Sequence, residues 1–107
     1  MGSETRWPDE VTRINTVLET LCHPIRREVI YHYEQGDRTG SVTELAVALA
    51  GRMPLEAAET LRVQLVHTHL PKLADNGWIQ YDRDTELITY EGHETAKQLL
   101  GEVQQRL

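Results

Sequence analysis

Apolar residues recur along this chain at helical spacing in several stretches and switch to alternation in one. Val11, Ile14, Val17, Leu18 and Leu21 share one face at the helical period, which predicts a first helix over about 9–21. Asp9 can cap it, and Asp9 and Glu10 suit its positive end. Cys22-His23-Pro24 interrupts the pattern. Pro24 then opens a second helix whose apolar side is Ile25, Val29, Ile30 and Tyr33 and whose stop is Gly36. Arg26 and Arg27 fall near its N-terminus, where the helix dipole disfavours cations, and a surface ion pair is the expected answer. A loop comes next, then a short bridge or strand at Ser41-Val42. Ser41 and Glu44 have the spacing of a capping box, with Thr43 as the other possible cap. The third helix is T-E-L-A-V-A-L-A, with Leu45, Ala46 and Leu49 inward and small alanines that let a neighbouring helix approach. Gly51 is its expected stop, and Pro54 the expected first-turn residue of the next helix.

The stretch Q-L-V-H-T-H-L-P-K-L-A-D-N-G-W-I, from Gln64 to Ile79, carries the most information. On a helical wheel Leu65, Val66, Leu70 and Leu73 fall on one arc, with Val63 at its edge. Thr60, Gln64, His67, Thr68 and Pro71 fall on the opposite arc. That polar arc is nearly free of charge, unlike an ordinary solvated face rich in Glu and Lys, and resembles a helix seated in a DNA major groove. Pro71 removes the amide donor to the His67 carbonyl, which predicts a bent helix, or two segments, over about 55–76. The short turn G-R-M-P before it makes a helix-turn-helix over about 43–76, with the small-residue helix first and the polar-faced helix second. After Asn76-Gly77 the period becomes two. Two short strands, Trp78 to Tyr81 and Leu87 to Tyr90, flank the charged tip D-R-D-T-E and read as a hairpin over about 78–90. A last helix, about 93–107, gathers Ala96, Leu99, Leu100 and Val103 on one side.

At 107 residues this is one domain, expected to run over 9–107 behind a disordered 1–8. No run of roughly 18 apolar residues and no apolar leader is present, so neither a membrane nor secretion is expected. The single cysteine, Cys22, allows no internal disulfide and fits a reducing cytoplasm. Seventeen acids face eleven bases, and only Lys72 and Lys97 are lysines, a balance suited to hydration in molar salt. The acid is uneven: residues 51–73 hold two acids and three bases, net +1, while the flanking parts are negative. The candidate groove helix thus lies in the one segment that is not acidic.

The succession helix, helix, short strand, helix-turn-helix, hairpin, helix resembles an ArsR-type winged helix-turn-helix. The residues that carry the likeness are T-E-L-A-V-A-L-A for the positioning helix and H-T-H-L-P-K-L-A-D-N-G-W-I for a recognition helix running into the wing. With Pro24-Ile25-Arg26-Arg27-Glu28-Val29, the same core is similar to the short winged-helix proteins of haloarchaea, over about 17–90. The expected fold class is therefore mainly α with a small β-hairpin, a winged helix-turn-helix with extra N- and C-terminal helices. The resemblance implies a DNA-binding regulator, dimeric through the first and last helices. Val11, Ile14, Leu18, Leu99, Leu100 and Val103 would form the interface, and the double-stranded operator would be a pseudo-palindrome.

Gln64, His67 and Thr68, with Thr60 on the same arc, are the expected base-edge readers, since Gln pairs with adenine and Thr offers a hydroxyl or a methyl. Arg62 and Lys72 flank them and suit phosphates. Arg83 at the hairpin tip suits the minor groove, although Asp82 and Asp84 beside it oppose that. Each of these also has an ordinary reading as a solvated side chain. His67 and His69 raise metal sensing, but residues two apart on a helix point about 160° away from each other, and no Cys-x-Cys pair is present. His69 reads better as a hydrogen-bonded core histidine, and neither a metal nor another cofactor is expected. No glycine-rich phosphate loop and no nucleophile elbow appears, so an enzyme is not expected. The competing reading is a winged-helix module that binds protein and not DNA, favoured by the net charge of −6.

Overall fold

The computed structural model describes residues 15–53 and 56–92. Val11, Ile14, Pro54, Leu99, Leu100 and Val103, together with the expected disordered N-terminus and last helix, lie outside the described residues. The described part is mainly helical, with one small antiparallel sheet. Helix α1 covers residues 15–21, followed by α2 (Pro24–Gln35), β1 (Thr39–Ser41) and α3 (Val42–Arg52). A continuous helical path comes next: α4 (Ala58–Gln64), a wide π turn (Leu65–His69) and α5 (Leu70–Asp75). Strands β2 (Ile79–Asp82) and β3 (Leu87–Tyr90) close the hairpin, and β1 adds to β3, giving the order β1-β3-β2. No helix among the described residues is long and apolar enough to cross a membrane.

Local chemistry places most of these boundaries. The Ser41 hydroxyl accepts from the Glu44 amide at 3.1 Å, and the Glu44 carboxylate accepts from the Ser41 amide at 2.9 Å, so the expected capping box starts α3. Its hydrogen bonds hold the Glu44 carboxyl below the usual carboxylate range. At the other end α3 departs from expectation. Gly51 does not stop it: the helix runs on to Arg52, and the Met53 amide still donates to the Leu49 carbonyl at 2.8 Å. Gly51 keeps a negative φ, so nothing there turns the chain out of the helix. Gly77 does act as a stop, at φ +79. The Trp78 amide reaches the Leu73 carbonyl at 3.0 Å and the Gly77 amide the Ala74 carbonyl at 3.1 Å, the paired bonds of a Schellman ending. Trp78 and Leu73 are both buried in the core there. Trp78 lies just before β2 and not within it.

The core lies between α2, α3, the long helical path and one face of the sheet. Val29, Ile30, Val42, Leu49, Leu61, Leu65, Leu70, Leu73 and Ile88 are fully buried. Tyr33 stacks on Tyr90, whose hydroxyl donates to Glu34 at 2.7 Å and ties β3 to α2. Arg52 joins α3 to α2, pairing with Glu28 at 2.9 Å and lying over the Tyr31 ring. Among the described residues neither Arg26 nor Arg27 forms the expected ion pair. Arg27 donates to the Leu21 carbonyl at 2.6 Å, supplying a donor to the exposed end of α1.

Candidate nucleic-acid interface

The polar side of the long path is set by its leucines and by one proline. Leu61, Leu65, Leu70 and Leu73 are at 0% exposure and fix which side faces in. Pro71 has no amide for the His67 carbonyl, and its ring crowds that carbonyl. The chain answers by widening: the Leu70 amide reaches back five residues to the Leu65 carbonyl. The disturbance expected at Pro71 takes the form of this wide turn between two α segments. An extra residue is absorbed into one turn, which places neighbours in pairs: His67 and Thr68 both face solvent, while His69 and Leu70 both face the core. The path thus keeps the sides that a regular wheel assigns, with His67 and Thr68 out together.

Of the expected readers, Thr60, His67 and Thr68 are exposed. Gln64 is corrected: it is half-buried, and its Oε1 is buried with no hydrogen-bond partner, so its carbonyl end is turned inward and not toward a base edge. Val63 is 47% exposed and lies on the outer side, not at the rim of the apolar arc. Arg62, expected to suit a phosphate, is engaged within the chain. Its Nη2 donates to both carboxylate oxygens of Glu86, at 2.6 and 2.9 Å, across the gap between α4 and the hairpin turn. Lys72 makes a looser contact with Glu19 at 3.5 Å, with both side chains well exposed, so solvent weakens it. Arg83 is exposed at the hairpin tip. Leu18, the described member of the expected dimer face, is 46% exposed.

The hairpin turn is shaped by Asp82, whose carboxylate accepts from the Asp84 amide at 2.9 Å and the Thr85 amide at 3.3 Å. Glu86 closes the turn with a left-handed backbone, φ 58, uncommon for a residue with a side chain. Its carbonyl accepts from the Val42 amide at 3.1 Å, joining the turn to the start of α3. An open groove of about 290 Å³ runs between the long helix and the hairpin, lined by Val66, His67, Pro71, Tyr81, Arg83 and Glu86. Burial and Glu86 push the Tyr81 hydroxyl's pKa up, while Arg83 and Arg62 pull it down, so one cluster of charges surrounds that ring. Tyr81 and Glu86 escape a reading of the sequence alone. Only the strand register sets Asp82 opposite Leu87 and leaves 83–86 as the turn beside α4.

His69 is buried at 3% exposure, as expected of a core histidine, but its Nδ1 has no hydrogen-bond partner. Its ring lies 4.2 Å from that of His23. The His23 Nδ1 accepts from the Ile25 amide at 3.2 Å and caps α2, which requires that nitrogen to be unprotonated. Burial, then His23 and Arg26, lower the His69 pKa to about 4. Burial and the two arginines lower that of His23 as well. Both rings are therefore neutral near pH 7. Among the described residues no group of three or more His, Cys, Asp or Glu is placed to hold a metal ion.

A family model described as a domain of unknown function, DUF7344, matches residues 18–89. The chain belongs to the DUF7344 family. The matched segment opens within α1 and ends in β3, so the long helix, the hairpin and the groove between them all lie inside the DUF7344 unit. No curated protein matches the chain, and no solved structure does.

Proposed function

We propose that this DUF7344 protein is a winged-helix, sequence-specific regulator of transcription that binds double-stranded DNA as a homodimer. The long helix enters the major groove and the hairpin acts as the wing. The observation that carries this reading is the outward side of the long helix. Thr60, His67 and Thr68 stand exposed there, backed by four fully buried leucines, with a short helix before and a hairpin after. Thr68 and His67 offer hydrogen bonds to base edges, and Arg83 on the hairpin offers a phosphate or minor-groove contact. Two copies related by a two-fold axis, joined through the first and last helices, set two such helices into successive major grooves.

A second reading, a protein-binding winged helix, draws on one observation: Arg62 and Lys72 are each held by a carboxylate, which thins the basic footprint. Selecting sequences from random duplex DNA, then comparing the wild type with His67→Ala/Thr68→Ala, separates the two. The regulator reading predicts that the double variant keeps its thermal stability to within about 0.5 kcal/mol, as surface changes do, and loses sequence preference. An unchanged preference, or no duplex binding by the wild type, supports the protein-binding module.

A further inference from the structure

We propose that Glu86 is a built-in stand-in for a DNA phosphate: it holds Arg62 in the free protein and gives way to a phosphodiester when the long helix docks. The inference rests on the DNA-binding reading and adds a partner-exchange step to it. Three observations carry it. Arg62 stands on the same helix as the exposed readers, within two residues of Thr60, and is partly open to solvent. The Glu86 carboxylate faces it from the hairpin turn, at the rim of the groove that also holds His67 and Arg83. Both contacts run through the single nitrogen Nη2, so the pair is not the two-pronged arrangement in which a guanidinium grips an oxyanion most firmly. A phosphodiester offers the same two-oxygen edge and the same single negative charge as a carboxylate, and the guanidinium fork can grip it with two nitrogens.

Holding Arg62 this way has a consequence for salt. A free arginine that meets a phosphate releases a condensed counterion, steepening the dependence of log K on log salt by about 0.9. An arginine taken over from Glu86 releases the same counterion, but the freed carboxylate attracts a cation from solution. The two nearly cancel. The contact then forms with almost no salt dependence, which suits a chain of net charge −6.

The test is a double-mutant cycle on binding to a fluorescein-labelled 30-base-pair duplex carrying the sequence that the wild type enriches from a random library, between about 0.1 and 0.5 M KCl. Glu86→Gln is expected to tighten binding by roughly three- to five-fold, the scale of a partly exposed ion pair, and to steepen the salt slope by about 0.9. In an Arg62→Ala background the same change is expected to alter neither. Glu86→Gly is the second variant: glycine accepts the left-handed backbone at this position, so the carboxylate is removed without adding strain. Equal tightening with and without Arg62 overturns the stand-in role and leaves a general charge effect. So does an unchanged slope in a protein that binds duplex. If neither the wild type nor any variant binds duplex at any salt, the DNA reading itself fails and the stand-in role goes with it.

Discussion

His69 shows how much a single residue can report about this fold. Its ring is buried against His23, with Arg26 nearby, and its pKa is lowered to about 4 from an ordinary 6.5. As pH falls, the unfolded chain takes up this proton first. Stability contributed here is complete above about 6.5, declines between about 6.5 and 4, and changes no further below that. His23, lowered too, acts in the same direction. Thermal melts from pH 7.5 to 4 are therefore expected to show a falling melting temperature, and His69→Leu a shallower fall over the same range. Equal slopes in both proteins would contradict this assignment. The burial of His69 was readable from the wheel because Leu70 and Leu73 mark the inner arc. Its neighbour was not, because His23 lies 46 residues away and meets it only when α2 packs beside the long helix.

At the scale of elements, the chain announces its boundaries where a side chain or a glycine must satisfy the backbone. Ser41 with Glu44, Pro24, Gly36 and Gly77 all mark element ends that their residue types predict. Gly51 misleads, since a helix accepts glycine at modest cost and the Met53 amide had a carbonyl to reach. Pro71 is read correctly as the point that loosens the helix into two segments, and the π turn between them is the detail the sequence leaves out. A wheel with a fixed period has no place for a turn that absorbs an extra residue. The wheel put Gln64 outside and Val63 at the apolar edge, whereas Gln64 is half-buried and Val63 stands 47% exposed. Gly77→Ala tests the ending of the long helix. With φ +79 an added Cβ meets no neighbour within 4 Å, so the cost is conformational, about 1 kcal/mol, read as a lower urea midpoint with an unchanged slope. A variant as stable as the wild type would mean that the left-handed position is not needed.

For the whole molecule, the proposed reading asks how an acidic chain would hold a polyanion. Charge counting along the sequence finds the least acidic segment but not which cations are already engaged. Arg62 and Glu86 are 24 residues apart, and nothing local pairs them. With Arg62 facing a carboxylate in the free protein and few other cations on this side, the proposed duplex binding would draw mainly on hydrogen bonds, apolar contact and displaced water. At 1 M salt the screening length is about 3 Å, so long-range attraction contributes little there. Affinity for duplex is accordingly expected to change little between about 0.2 and 2 M KCl, by fluorescence anisotropy, where a protein relying on six or more free cations loses several orders of magnitude. A steep loss would mean that the exposed bases of this chain, and not its polar helix face, carry the affinity.

The outward face of the long helix is the central claim, and selection of bound sequences from a random duplex library in molar KCl tests it most directly. The predicted result is enrichment of a two-fold-related motif with half-sites one helical turn apart, absent from a parallel selection with His67→Ala/Thr68→Ala. A pool indistinguishable from the input library after repeated rounds, or the same motif from both proteins, would contradict it.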